Sequence, residues 1–319
     1  MSKAKTSIEI GDVKLFLIRN FSSQIKNLEF LKGGEFSQAF SFDSVKGSFV
    51  IKLRNRRIIG TKKNPFEKEI LAYKNVKLRD DTIPIPNIVS NGTFSGEKRS
   101  KIIYCIVEKA HGNFVHLFPP EKHELVDLNL IDVLHRIHSI DISNTKGYGN
   151  WFSFQEARFN SMSEHIIDVI EKQRIYTNKR YSTGIFEKNL YIKGVKRIEE
   201  LVQNCSKYRY LIHGDYGYDN VLADVNCNIS SVFDWEHSLF GDFVYDIAWL
   251  DFWQFRKENH YANLYKKMFE DDKNLDFKNY EERLLCYKLY IGMTAAGFFS
   301  ESNQKEKYNE AKERILELL

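Results

Sequence analysis

The sequence predicts an α+β chain in two lobes: a small antiparallel sheet with one helix over residues 1–109, then a larger, mainly helical lobe over 110–319. Three observations predict it. The length of 319 residues exceeds what one hydrophobic core usually holds. The first third carries β-branched and aromatic runs separated by Gly-bearing turns. After His111-Gly112 the apolar positions switch to helical spacing.

The elements follow in order. Residues 10–22 read as a short amphipathic helix, and 26–32, 37–43 and 47–53 as three short strands. Phe49, Val50, Ile51 and Leu53 around Lys52 suit a central strand. A helix is expected over 65–77, opened by Pro65 and carrying Glu67 and Glu69 in its first turns. IPIPNIVSNGTF returns as loop and strand, and KIIYCIVEKA is a further strand. Helices are then expected over 121–139, 153–173 and 186–204. Two β stretches, 220–223 and 229–234, flank the turn Asp224-Val225-Asn226. The remainder, 244–319, reads as helix and closes with EKYNEAKERILELL.

Charge is unevenly distributed. Residues 1–109 hold 21 Lys+Arg against 11 Asp+Glu, whereas 213–251 hold eight acids and no Lys or Arg. The acidic stretch is also rich in Val, Ile, Phe, Trp and Tyr. It is therefore expected to be partly buried, where carboxylates need pairing or a metal. The chemistry is concentrated there, in His213-Gly-Asp215-Tyr-Gly-Tyr-Asp-Asn220 followed by Phe233-Asp234-Trp235. The spacing H-x-D-x4-N suits phosphoryl transfer. Asp215 can receive or orient the proton of an attacking hydroxyl, Asn220 can turn back to Mg²⁺, and Asp234 can hold that ion against a triphosphate. Lys52, mid-strand among apolar residues, needs a partner. It can reach nucleotide phosphates with a helix glutamate holding it, Glu69 before Glu67. The stretch GGEFSQAF at 33–40 is the expected turn over the phosphates, with Gly33 and Gly34 admitting backbone N–H groups and Ser37 offering a hydroxyl.

Taken together, His213-Gly-Asp215…Asn220, Phe-Asp234-Trp and Gly241-Asp242-Phe-Val-Tyr-Asp246-Ile-Ala248 resemble the aminoglycoside phosphotransferase family, which shares the protein-kinase-like bilobal fold. SFD at 41–43, IPIP at 83–86 and FGD…DIAWLDFW read most like its hygromycin B phosphotransferase group. The resemblance covers about residues 27–255 and implies the same roles for Asp215, Asn220, Asp234 and Lys52. It further implies that Glu108 to Ala110 form the hinge against the nucleotide base, and that Asp242 and Asp246 brace the catalytic loop. Phe243 stands where that family favours Pro. His138, in LHRIHSID, is expected to be packed and hydrogen-bonded.

The expected reaction is therefore transfer of the γ-phosphoryl group of ATP or GTP, with Mg²⁺, to a hydroxyl of an aminoglycoside or aminocyclitol such as hygromycin B. Glu236 and His237, with the other acids, can favour a cationic small molecule, and Trp253 can stack on a sugar ring. Choline, homoserine, methylthioribose, fructosamine and macrolide kinases share the fold, as would a non-catalytic nucleotide-binding protein, so the acceptor stays open. A protein kinase is disfavoured: the kinase Gly-rich loop and an APE segment are missing, and Gly214 replaces the Arg of HRD. No Walker A loop, GxGxxG or zinc set is present; His135 and His138 lack a third ligand of suitable spacing. Four scattered cysteines suggest reduced thiols, and a net charge of +4 does not call for nucleic acid. Without a bilayer-length apolar run or a signal-like start, a cytoplasmic monomer is expected.

Overall fold

Alternation turns Phe49, Ile51 and Leu53 to one face of a strand and leaves Lys52 and Arg54 on the other. In the computed structural model, which describes residues 6–32, 37–55, 64–94, 102–181, 185–217, 219–253 and 259–319, that strand is the centre of a five-stranded antiparallel sheet. Its members are β1 (Ile25–Leu31), β2 (Gln38–Ser44), β3 (Gly47–Asn55), β4 (Ile88–Phe94) and β5 (Ile102–Glu108), in the order β1-β2-β3-β5-β4. Lys52 stands opposite Ala39 on β2 and Cys105 on β5. Helix α1 (Ile10–Asn20) buries Val13 and Leu17 against Phe40, Phe42, Phe49, Ile51, Leu53, Phe94, Ile102 and Ile106. Burying each side chain of this size contributes about 1.5–3 kcal/mol. A one-residue slip of β3 would expose that face, so the apolar residues fix its register. Helix α2 (Glu67–Arg79) meets the opposite face through Glu69, which reaches Lys52.

The chain packs as two compact units, residues 1–112 with 230–236, and residues 113–229 with 237–319. The sequence suggests a division near residue 109. The segment 230–236 is tied to the first unit by long-range backbone contacts that no local pattern announces. Val232 N–H donates to Pro84 O at 2.6 Å, and Ser230 Oγ donates to His111 O at 2.5 Å.

The second unit contains β6 (Asn113–Phe114), α3 (His123–His138), β7 (Tyr148–Ser153), β8 (Glu156–Phe159), α4 (Met162–Tyr181), α5 (Lys188–Leu201), β9 (Tyr210–Ile212) and β10 (Val221–Ala223). After β11 (Ile229–Val232) it continues with β12 (Leu239–Gly241), α6 (Val244–Phe252), α7 (His260–Phe269), α8 (Tyr280–Glu301) and α9 (Lys305–Leu318). β8, β7, β12 and β9 form one sheet in that order, and β6 pairs with β10. Helix α8 is the spine of the helical part, with Tyr280, Leu284, Cys286, Tyr287, Leu289, Ile291 and Met293 all buried.

The helix expected over 153–173 is corrected. Residues 148–159 form the β7–β8 hairpin, and the helix starts at Met162. Gly147 enters this hairpin at φ +77°, where an added Cβ would lie 2.1 Å from Ala157 O. The start of α4 had a readable signal. Glu164 N–H donates to Ser161 Oγ, and Glu164 Oε2 accepts Asn160 N–H, so the S-x-x-E pattern at 161–164 caps the helix. The three-residue strands β9 and β12 went unpredicted because they are too short to show a period. Among the described residues, no helix is long and apolar enough to cross a membrane.

Candidate active site

The first unit gathers a cation and carboxylates on the α2-facing side of β3. Lys52 Nζ lies 2.7 Å from Glu69 Oε1, and Tyr73 Oη donates to the same oxygen at 2.8 Å. Tyr73 is i+4 from Glu69, so both face β3 from one side of α2. Burial opposes the charge on Lys52, but the carboxylates of Glu69 and Asp234 outweigh it and hold the ammonium pKa above its ordinary value. Burial, reinforced by Glu69, pushes the Tyr73 phenol well above its usual range, so Tyr73 acts as a neutral donor. Burial likewise pushes the neighbouring Cys105 thiol up to about 12, leaving it an uncharged core group. Of the two glutamates that the sequence offered Lys52, Glu69 is the partner.

Asp234 follows β11 with φ +63°, a left-handed conformation uncommon among residues other than glycine. Its neighbours pin it. Trp235 is fully buried and donates its indole N–H to Val232 O at 3.2 Å, and Glu236 Oε2 pairs with Arg54 Nη1 at 2.6 Å. Glu236, expected to attract a cationic acceptor, therefore has its charge matched within the unit. Ser37, expected at the phosphates, accepts Arg54 Nε–H at 2.6 Å. Gly33 and Gly34 of the expected phosphate turn lie outside the described residues. At the expected hinge, Glu108 N–H donates to Asn87 O at 3.0 Å, and its carboxylate accepts Asn87 Nδ2–H at 2.6 Å.

The second unit holds the H-x-D-x4-N loop, in a conformation set by Asp246. Its Oδ2 accepts His213 N–H at 2.8 Å and its Oδ1 accepts Gly214 N–H at 2.7 Å. Behind it, His138 Nε2 lies 3.2 Å from Asp246 Oδ2, and His138 Nδ1 lies 2.9 Å from Tyr265 Oη. Burial holds the His138 pKa below its ordinary value despite the Asp246 carboxylate, so the ring is neutral at pH 7. Gly214 sits at φ +82°, where a Cβ would lie 2.2 Å from His237 O. The left-handed turn and the close approach both require glycine there. His237 meets the loop through that backbone carbonyl, while its side chain is exposed.

Asp215 is half-buried, and its N–H faces His213 Nδ1 at 3.3 Å. Asn220 Nδ2 donates to Asp215 O at 2.9 Å. That bond orients the amide and turns Oδ1 away as an oxygen donor. Asn220 in the second unit thus offers an amide oxygen, and Asp234 in the first unit a carboxylate oxygen. Oxygen donors of both kinds suit Mg²⁺. Among the described residues, no group of three or more His, Cys, Asp or Glu can hold a metal ion.

The brace extends to Asp242, whose carboxylate takes Arg283 Nη2 at 2.5 Å, Arg283 Nε at 2.8 Å and Tyr287 Oη at 2.9 Å, with Asp242 and Arg283 fully buried. Phe243 lies under the Arg283 guanidinium at 5.5 Å and stacks on Tyr265 at 5.5 Å, so an aromatic turn links the two brace systems. Arg283 was not singled out in the sequence, because its partner lies 41 positions away. Trp253 packs against Phe252, Trp249 and Phe299, with ring centroids at 4.8, 6.2 and 6.2 Å. Its buried indole N–H has no hydrogen-bond partner among the described residues.

Comparison with known proteins places this chain among kinases. The fructosamine kinase family profile matches residues 14–318. Hygromycin-B 4-O-kinase of Escherichia coli is 26% identical over 253 residues, 78% of this chain and 69% of that protein. The crystal structure of aminoglycoside phosphotransferase APH(4)-Ia superposes with a TM-score of 0.79 at 22% identity, covering 97% of this chain and 98% of that one. A thermostable mutant of that enzyme, in a ternary complex with ADP and hygromycin B, gives 0.79 at 22% identity over 96% and 97%. These structural likenesses establish the two-lobed fold anticipated from the sequence.

Proposed function

The chain belongs to the fructosamine kinase family, and on that premise we propose that it transfers the γ-phosphoryl group of ATP or GTP to a hydroxyl of an aminoglycoside or aminocyclitol such as hygromycin B, an activity that confers antibiotic resistance. The observation that carries the reading is the Lys52–Glu69 pair at 2.7 Å, a buried ammonium kept charged by Glu69 and Asp234. A cation so maintained, beside a carboxylate able to share a metal, suits a triphosphate.

In this reading Lys52 holds the nucleotide phosphates, and Glu108 and Ala110 meet the base. Asn220 Oδ1 and the Asp234 carboxylate would hold Mg²⁺, which when bound would offset the charge of the phosphates. Asp215 accepts the proton of the acceptor hydroxyl as its oxygen attacks the γ-phosphorus. Asp246, fixing two consecutive N–H groups of the loop, keeps the Asp215 carboxylate in place during that transfer. His237 and Trp253 are read as acceptor-side residues. Hygromycin B, the acceptor of the Escherichia coli relative, supports the aminocyclitol assignment, and the protein is read as a cytoplasmic monomer.

The test is nucleotide turnover with hygromycin B, other aminoglycosides and no acceptor, with ATP and with GTP. Hygromycin-stimulated release of ADP or GDP that disappears with EDTA is expected. Asp215→Asn should lower kcat by about 10²–10⁴ with an unchanged thermal midpoint. Full turnover by that variant would remove Asp215 from the mechanism. A second reading has a fructosamine as acceptor, favoured by the family profile. Turnover stimulated by a glycated amine and not by hygromycin B would select it.

A further inference from the structure

Arg54 lies two residues beyond Lys52 on the same face of β3, yet its guanidinium is buried, with the side chain 8% exposed. It meets three separate segments of the first unit. Nε donates to Ser37 Oγ at 2.6 Å, Nη1 pairs with Glu236 Oε2 at 2.6 Å, and the guanidinium lies 5.2 Å from the Phe66 ring centroid. Ser37 directly follows residues 33–36, Glu236 is two residues past Asp234, and Phe66 stands at the start of α2, three residues before Glu69. One planar group thus links Ser37, the residue two past Asp234 and the start of the helix that carries Glu69.

We propose that Arg54 is a positioning residue that, through Glu236, holds Asp234 in its left-handed conformation at the nucleotide phosphates. The proposal rests on the reading of Lys52 and Asp234 given under the proposed function. A non-glycine residue at φ +63° persists only where its surroundings over-determine it. Three pins do so here: Val232 N–H on Pro84 O, Trp235 Nε1–H on Val232 O, and Glu236 on Arg54. The first two act on the N-terminal side of Asp234 or through the backbone before it. The Arg54 contact acts on the chain two residues after Asp234. Arginine suits the task because its fork serves two acceptors at once while its plane packs on a ring, which a lysine ammonium cannot do. Lys68 also faces Glu236, and burial pushes its pKa down to about 7.

The experiment compares Arg54→Met, Glu236→Gln, the double variant and Lys52→Met in steady-state kinetics with Mg-nucleotide and acceptor varied separately, alongside thermal midpoints. Each single variant at Arg54 and Glu236 is expected to raise the Mg-nucleotide KM about tenfold, with a smaller change in acceptor KM. The double variant should add nothing further, since both changes break one link. Glu236→Gln alone carries the test if Arg54→Met fails to fold. An unchanged nucleotide KM in Glu236→Gln, additive effects in the double variant, or a rise confined to the acceptor KM would overturn the proposal. Lys52→Met separates the two levels. If it leaves the nucleotide KM unchanged, the reading of the site itself falls; if it raises that KM while the Glu236 variant does not, only the role of Arg54 falls.

Discussion

Lys52 and Glu69 form an ion pair of 2.7 Å between β3 and α2, and the Tyr73 phenol donates to the same carboxylate oxygen. Because the pair is largely desolvated, neutralising either partner leaves the other costly to keep charged. Glu69→Gln should raise the Mg-nucleotide KM about tenfold or more, while Glu67→Gln stays within about twofold. Steady-state kinetics on the two variants checks this, and equal effects would deny the Lys52 pair its part in nucleotide binding.

The catalytic-loop turn depends on a missing side chain. Gly214→Ala places a methyl 2.2 Å from His237 O at φ +82°. Neither the backbone carbonyl nor the left-handed turn can yield cheaply. The variant should lose about 2 kcal/mol or more of stability, together with most of its turnover. Denaturant titration and a single-turnover assay measure the two losses.

The buried Asp242–Arg283 pair makes a stability prediction far from any expected substrate contact. Arg283→Met keeps the apolar bulk over Phe243 but strands the Asp242 carboxylate, which is fully buried. A loss of about 3–5 kcal/mol is expected. The combined Arg283→Met, Asp242→Asn variant should recover part of it, and denaturant midpoints at constant slope decide the matter.

His138 gives a pH prediction with a definite sign. Burial depresses its folded-state pKa, opposed by Asp246 and Asp242 and aided by nearby His135, so the unfolded chain takes up the proton first as pH falls. Stability linked to the neutral ring is present above its ordinary pKa of about 6.5 and is lost as pH falls through and below that value. His138→Gln, which removes the titration, should flatten the decline of stability between about pH 6.5 and 5 relative to the parent. Identical slopes in urea titrations at pH 7.5 and 5.5 would contradict the linkage.

Much of the fold and of the candidate site is legible in short stretches. The alternation around Lys52 set β3, the run His213 to Asn220 marked the loop, and Phe-Asp-Trp marked the end of β11, because each signal lies within a few residues. Residues 153–159, the second half of the hairpin, read as helix because a short apolar run fits either period. The S-x-x-E cap at 161–164 was the overlooked correction.

The sequence by itself determined the residue types and their local order: a lysine inside an apolar strand, an Asp and an Asn five apart on one loop, and glycine where φ must be positive. Only the tertiary structure decided which charges meet. It selected Glu69 over Glu67, joined Arg54 to Glu236, seated Arg283 on Asp242, and set His138 behind Asp246. The physical reason is range. Alternation, capping and turn preference act between neighbours along the chain, whereas an ion pair depends on separation in space, which is fixed only after the apolar faces have packed.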